Sequence, residues 1–436
     1  MAMFMNVLVV VIGLSVAGVL AFYRPLRESS VWKATVTPLA SIMGSGFLVS
    51  APLMAAIVGG LAPVAMGALL LVAFGIGAIV RFNIRYGEQV FAGSPPHEPE
   101  DGDHRQTRGH AAGSRPYWVQ ETFTVATRLE QASHLVLAGA YVVSVTYYLG
   151  LLASFVLDGV GVQSDLIAKI LVTVLLVGIT GVGLWRGLAA LEFLERYAVA
   201  LNLGLVAALL VGLLVFDGGA LAGGTAAWPE IPADAASTDN IRKLMGLLIV
   251  VQGFETSRFL GDQHPAEERI ASMRFAQLGS SAIYVVFIGL AMVLVAGSVP
   301  DASVTAIVKM VGPVAAVLPF FIVIAAVGSQ FSAAVADDAG CSGLLSSSLG
   351  SWLPKGWAFA LTGGAAIALN WLTDVMSVLA YASRAFAVYY TIQCAIAVAL
   401  AVTREDAKGR WWMIPLGSVL ALVALSVAIF GIPAEG

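Results

Sequence analysis

Apolar runs long enough to cross a bilayer recur along the chain from its first residues to its last. A helix needs about 20 predominantly apolar residues to span the hydrocarbon. Lipid offers no water to a peptide group, so such runs must close their backbone hydrogen bonds internally, as helices. Twelve spans can be drawn, over residues 4–23, 37–58, 63–80, 128–157, 166–184, 192–216, 241–261, 272–296, 313–345, 357–372, 375–402 and 414–430. Of the 436 residues, 59% are hydrophobic and only 11% charged, more apolar surface than a soluble domain can hide. An all-α polytopic membrane protein is predicted. The net charge of −4 gives no basic field for a nucleic-acid partner. Cys341 and Cys394 lie in apolar runs and read as small core residues.

The first run differs from a signal peptide, in which positive charge precedes the apolar stretch. Here Arg24 and Arg27 follow it, so it reads as a retained helix with its N-terminus outside. With twelve spans, Arg24, Arg27, Lys33, Arg81, Arg85, Arg105, Arg108, Arg115, Arg186, Arg269, Arg274, Lys355, Arg404, Lys408 and Arg410 fall on one side. Lys169, Arg242, Lys243 and Lys309 fall on the other. This bias assigns the first side to the cytoplasm of a multi-pass inner (plasma) membrane protein.

Two spans are interrupted. Gly44, Ser45 and Gly46 stand near the middle of 37–58, and Gln252-Gly253-Phe254-Glu255-Thr256-Ser257-Arg258 puts glycine and polar groups inside 241–261. Each glycine costs a helix roughly 1 kcal/mol against alanine. A break at membrane depth persists only where protein or a watery cavity receives the freed peptide groups. Setting aside the first and last spans leaves ten, divisible into two groups of five of opposite orientation. Paired interruptions in inverted halves point to a transporter's binding site. The expected organisation is an extra helix and linker (1–36), a first repeat (37–216), an extracellular loop (217–239), a second repeat (240–403) and an extra C-terminal helix (404–436).

Ile42-Met43-Gly44-Ser45-Gly46-Phe47-Leu48-Val49 with Pro52 resembles the first-helix signature of the amino acid–polyamine–organocation (APC) superfamily. Gly253-Phe254-Glu255 resembles that superfamily's sixth-helix break, and 264–270 its following Asn-Pro segment, with His264 in place of Asn. The resemblance implies a LeuT-like 5+5 inverted-repeat core. Its usual two extra helices follow the core, whereas this chain puts one before it and one after.

Bare N–H groups at Gly44–Gly46 favour a carboxylate; the same glycines also suit plain close packing. Glu255 is a functional residue by default at this depth, placed to accept an ammonium, carry a coupling proton or pair with Arg258. Tyr141, Ser144 and Tyr148 share one face of their helix, and the resemblance implies that this helix lines the site. Carbonyls near Phe254, with Tyr381 and Arg384 of the eleventh span, complete the expected solute contacts, Arg384 serving equally to neutralise Glu255, Asp337 or Asp338.

For the coupling ion, the resemblance implies Na+ between the first and eighth core helices. Its ligands on that analogy are the carbonyls of Ala40 and Met43 with Asp337 and Asp338. Carboxylate and carbonyl oxygens suit a hard cation. Adjacent carboxylates repel, which makes the pair a proton site as well. Ser329 and Ser332 are competing oxygen donors, and a solvated Asp337–Asp338 end is the plainer reading. No lysine occurs in 192–216, where proton-coupled relatives can carry one, which tilts the expectation to Na+ over H+.

The histidines and acids of 93–116 read as a solvated loop. Glu192, Glu195 and Arg196, like Glu130 and His134, read as ion-paired helix starts at the interface. No phosphate loop, zinc spacing or nucleophile elbow occurs in a supporting context, so neither an enzyme nor a cofactor is expected. The expected function is ion-coupled symport of a small amino-acid-like or carboxylate-bearing solute. A nucleobase or vitamin permease, or a sensor on the same scaffold, are the alternatives.

Overall fold

The computed structural model describes residues 2–44, 46–91, 117–186, 189–261, 264–296, 303, 305–349 and 356–434. Ser45 and the 93–116 loop lie outside them. Among the described residues every regular element is helical, and nine stretches are long and apolar enough to cross a membrane.

The chain opens with α1 (Ala2–Phe22), the short α2 (Arg24–Glu28) and α3 (Ser30–Gly44). After a turn at Gly46 come α4 (Phe47–Val58) and α5 (Ala62–Phe91). The first half ends with α6 (Tyr117–Gly159), α7 (Asp165–Arg186) and α8 (Ala189–Ala222). The second half starts with the eight-residue α9 (Thr238–Met245) and two 3-10 segments, Leu248–Val251 and Phe254–Phe259. Then follow α10 (Ala266–Val295), the short α11 (Ala306–Met310), α12 (Leu318–Leu349), α13 (Trp357–Leu372), α14 (Val375–Thr403) and α15 (Arg410–Phe430).

The span expected at 241–261 is interrupted, and over a longer stretch than the 252–258 break alone. Its regular α-helix ends at Met245, and tighter turns carry the chain across the interior. Such 3-10 turns have poorer hydrogen-bond geometry and mark strained or functional segments. This one is sustained by side chains from other helices, described below.

α6 is the most enclosed span, with 72% of its apolar window buried, and it packs along α12 and α14. α1 and α7, at 17% and 22%, turn most of their surface outward. Small residues let the outer helices approach closely. Gly204 of α8 sits so near α1 that a methyl group on it would lie 2.5 Å from the Gly13 carbonyl oxygen and 2.7 Å from Ala17 Cβ. Gly417 likewise fits α15 onto α14 beside Cys394 and Val398. Close backbone approach of this kind replaces the hydrophobic drive that lipid cannot supply.

The far end of α4 is closed by the loop before α9. The Trp228 ring N–H donates to the Gly60 carbonyl at 3.1 Å, and Gly60 N–H donates to the Glu230 carbonyl at 3.3 Å. Gly59 has φ of 55°, and a methyl group there would lie 2.1 Å from the same Glu230 carbonyl. Gly204→Val should therefore separate α1 from α8 and lower stability by about 1–3 kcal/mol. Thermal unfolding in detergent checks this, with Gly18→Val, at a glycine that has open space around it, expected to change little.

Candidate functional site

α3 stops at Gly44 because the chain turns at Gly46, whose φ of 134° suits glycine alone. α4 then starts at Phe47, with Val49 N–H and Ser50 N–H both bonded to the Gly46 carbonyl at 3.1 Å. Gly253 plays the same part in the second half, at φ 113°. A methyl group on Gly253 would lie 2.5 Å from Ser41 Oγ and 2.7 Å from Ile42 N, and one on Gly46 would lie 2.9 Å from Val250 Cγ1. The two breaks thus meet backbone to backbone, and a side chain at either glycine would push them apart.

Two residues that sequence reasoning passed over serve the freed peptide groups. Tyr284 of α10 is fully buried and donates to the Ile42 carbonyl at 3.1 Å and to the Val250 carbonyl. A phenol has one proton, so it acts as a donor shared between the two breaks. Ser383 of α14 donates to the Gly246 carbonyl at 2.7 Å and accepts from Ile249 N–H at 2.9 Å. A lone tyrosine in the middle of an apolar run was the one available hint of the first; nothing local marks the second.

Around the contact stand several expected residues. Glu255 is wholly buried, and its Oε2 accepts from Gly253 N–H at 3.0 Å and from Tyr390 Oη at 2.9 Å. Its Oε1 has no hydrogen-bond partner among the described residues, nor has Gln252 Oε1. Gln252 donates to Tyr148 Oη at 2.7 Å, and Phe254 stacks on Tyr390 with ring centroids 5.6 Å apart. Tyr141 and Tyr148 are both buried, Tyr141 lying edge-on to Phe386 of α14 with ring centroids 5.8 Å apart. Ser144 on the same face donates to Asp337.

Asp337 and Asp338 are 0% and 2% exposed, so the solvated reading of this pair is overturned. They stand mid-way along α12, which runs on to Leu349. Asp338 Oδ2 and Ser332 Oγ have no partner among the described residues. Gly44 is seated on α12: a methyl group there would lie 2.7 Å from Ala333 Cβ and 3.0 Å from the Ser329 carbonyl. Ala40 and Met43, just before that point, are buried, and no cluster of three or more His, Cys, Asp or Glu occurs among the described residues.

Three expectations need correction. Arg258 does not pair with Glu255; its guanidinium donates to Glu130 at 2.7 Å and to Gln393. Glu130 is accordingly no interfacial helix start: α6 begins at Tyr117, and Glu130 is 6% exposed, shared between Arg258 and His134. Tyr381 and Arg384 do not join the breaks. Tyr381 is exposed, and the Arg384 Nε–H donates to the Ala428 carbonyl on α15 at 2.8 Å.

A cavity of about 1060 Å³ runs from exposed Arg27 and Lys33 inward between α3, α6, α12 and the Phe254–Phe259 segment. It reaches inward as far as buried Tyr141. The opposite end is covered by the Trp228–Glu230 loop.

A family model described as APC superfamily transporter matches residues 24–431. The chain belongs to the APC superfamily. An uncharacterized protein of Aquifex aeolicus (strain VF5) is 35% identical to it over 389 residues, 89% of this chain and 88% of the relative. An APC transporter moves a small solute through a lipid bilayer, and the many apolar helices here suit that environment.

In this APC transporter, Tyr284→Phe strips the shared donor from two buried carbonyls and should lower stability by about 1–3 kcal/mol. Tyr147→Phe removes a buried hydroxyl without a partner among the described residues and should change stability much less. Thermal unfolding of the two purified variants side by side checks the contrast.

Proposed function

We propose that the protein is a secondary transporter of the LeuT-like 5+5 inverted-repeat type that symports a small, amino-acid-like solute with Na+ or H+ by alternating access. The solute lies where the two breaks meet. Its carboxylate faces the start of α4 at Gly46–Phe47, where helix N–H groups and the helix dipole favour an anion. Its ammonium faces Glu255 and Gln252. Tyr141 and Tyr148 flank it from α6.

The observation that supports this reading is the pair of buried acceptors, Glu255 Oε1 and Gln252 Oε1, which have no donor among the described residues beside the contact between the breaks. A buried acceptor without a donor costs about 1–3 kcal/mol, and a ligand ammonium supplies donors and charge together. A nucleobase is supported less well, because one face of Phe254 is already taken by Tyr390.

The coupling cation lies between α3 and α12 in this reading. Gly44 is seated on Ser329 and Ala333 of α12. The ligands in this reading are the carbonyls of Ala40 and Met43 with Asp337 and Asp338, which follow Ala333 by about one turn, Ser329 and Ser332 being the competing oxygen donors. A cation bound there favours the arrangement in which the two helices stay together, and such differential affinity drives a conformational shift. The basic end faces the cytoplasm of the inner membrane and the N-terminus lies outside.

Uptake of radiolabelled amino acids, betaines and nucleobases into proteoliposomes, with and without a sodium gradient, tests this. An amino acid should accumulate, and Glu255→Gln should cut its uptake by about tenfold or more, the loss of one charged hydrogen bond. Undiminished uptake in Glu255→Gln at every pH would remove Glu255 from the mechanism. Accumulation of nucleobases alone would replace the amino-acid reading.

A further inference from the structure

The Glu130–Arg258 pair lies outside the site above, yet it is built into the same two elements. Glu255 and Arg258 stand three residues apart on the Phe254–Phe259 segment; their α14 partners, Tyr390 and Gln393, are also three residues apart. The break is thus held to α14 by two successive rungs, one touching the solute region and one touching the cavity. Gln393 also donates to Ser133 of α6 at 3.0 Å and accepts from Asn83 of α5 at 2.8 Å, so the second rung ties four elements together.

His134 belongs to this rung. Its Nε2 lies 3.0 Å from Glu130 Oε1, the same oxygen that receives Arg258 at 2.7 Å. Glu130 and Arg258 side chains are 8% and 4% exposed, whereas that of His134 is 30% exposed on the cavity wall, edge-on to Phe259. One carboxylate oxygen therefore serves two nitrogen groups, a guanidinium and an imidazole, and of the two only the imidazole can gain a proton.

We infer that the His134–Glu130 pair is a proton-binding site, filled from the cavity, whose occupancy releases the Phe254–Phe259 segment from α6. With the pair unprotonated, Glu130 and Arg258 form a buried cluster of zero net charge, and the segment is locked. One added proton gives the cluster a net positive charge beside the buried Arg258 guanidinium, which a low-dielectric interior disfavours. Nε2–H already donates to Glu130 Oε1 in the neutral ring, so the added proton goes to Nδ1. The imidazolium then holds Oε1 more strongly at the expense of Arg258, and the cost is relieved when Arg258 and its segment swing away from α6 toward cavity water.

Other charged and titratable groups around the cluster do not substitute for His134. On α14, the Tyr389 hydroxyl lies beside Arg258. From α5 and α10, Glu88 and Arg269 hold each other in a bidentate pair at 2.6 and 2.7 Å, with Arg269 also donating to the Arg258 carbonyl. His264 is taken up by Glu268 at 3.0 Å. Arg27 and Lys33 sit at the cavity mouth.

The proton site stands independently of which solute is carried, and its test reads conformation without any solute. Ala336 of α12 lines the cavity, and the native Cys341 and Cys394 are fully buried, so Ala336→Cys is a reporter with low background. The full chain in nanodiscs is labelled with a membrane-impermeant maleimide at about pH 5.5 and pH 8, which straddle histidine titration. Rates are normalised to denatured protein at the same pH. The normalised rate should rise about threefold or more at the lower pH, and His134→Gln, which keeps a donor but takes no proton, should abolish the rise. Hydrogen exchange of residues 246–261 relative to α10, in the unmodified chain, should increase in parallel. A flat wild-type profile in both measurements, or the same rise in His134→Gln, overturns the inference.

Discussion

A broken helix inside a bilayer leaves carbonyl and N–H groups that lipid cannot satisfy, and every distinctive feature of this molecule answers that constraint. At α3 and at the 246–261 segment the answer is mutual: the two breaks lie against each other, and a single hydroxyl, that of Tyr284, serves Ile42 on one and Val250 on the other. Ser383 attends to Gly246 and Ile249. Removing any of these groups would not only weaken a contact but expose a peptide dipole where none can be tolerated. The site is therefore a by-product of backbone bookkeeping as much as of side-chain chemistry.

Glycine makes the arrangement sterically feasible. Gly46 and Gly253 hold backbone angles that other residues avoid, at points where the neighbouring chain leaves no room for a Cβ. Around them, buried polar atoms without a partner among the described residues include the acceptors of Glu255 and Gln252 and the hydroxyls of Ser41 and Tyr147. Among the described residues Glu255 is held by one oxygen and has no partner at the other, Gln252 Oε1 likewise has none, and the nearby Arg258 is committed to Glu130 and Gln393. An arginine paired with Glu255 would have occupied its second oxygen; Arg258 turns to Glu130 on α6 instead.

Part of this was legible in the sequence. The membrane class follows from the apolar runs, and both breaks from glycine and polar residues inside them. The burial of Glu255 follows from polarity at membrane depth, and the shared face of Tyr141 and Tyr148 from helical spacing. What stayed hidden depends on which helices become neighbours. Tyr284, Ser383, Tyr390 and Gln393 are ordinary residues locally, and their importance comes from the elements they face. Glu130 was misread because charge at an expected helix start suggests an interface, whereas α6 begins at Tyr117 and places Glu130 within the packed bundle. Arg384 was misread for the converse reason: depth in a span suggested burial, but α14 presents it to α15 and its surroundings rather than to the breaks.

The account stands or falls on the meeting of the two breaks. A cryo-electron microscopy map of the full chain in nanodiscs, resolved well enough to trace side chains, measures it directly. Gly253 should rest on the backbone at Ser41–Ile42, with the Tyr284 hydroxyl between the Ile42 and Val250 carbonyls. Continuous helices through residues 44–46 and 252–255, or a separation that puts another helix between these segments, would contradict it.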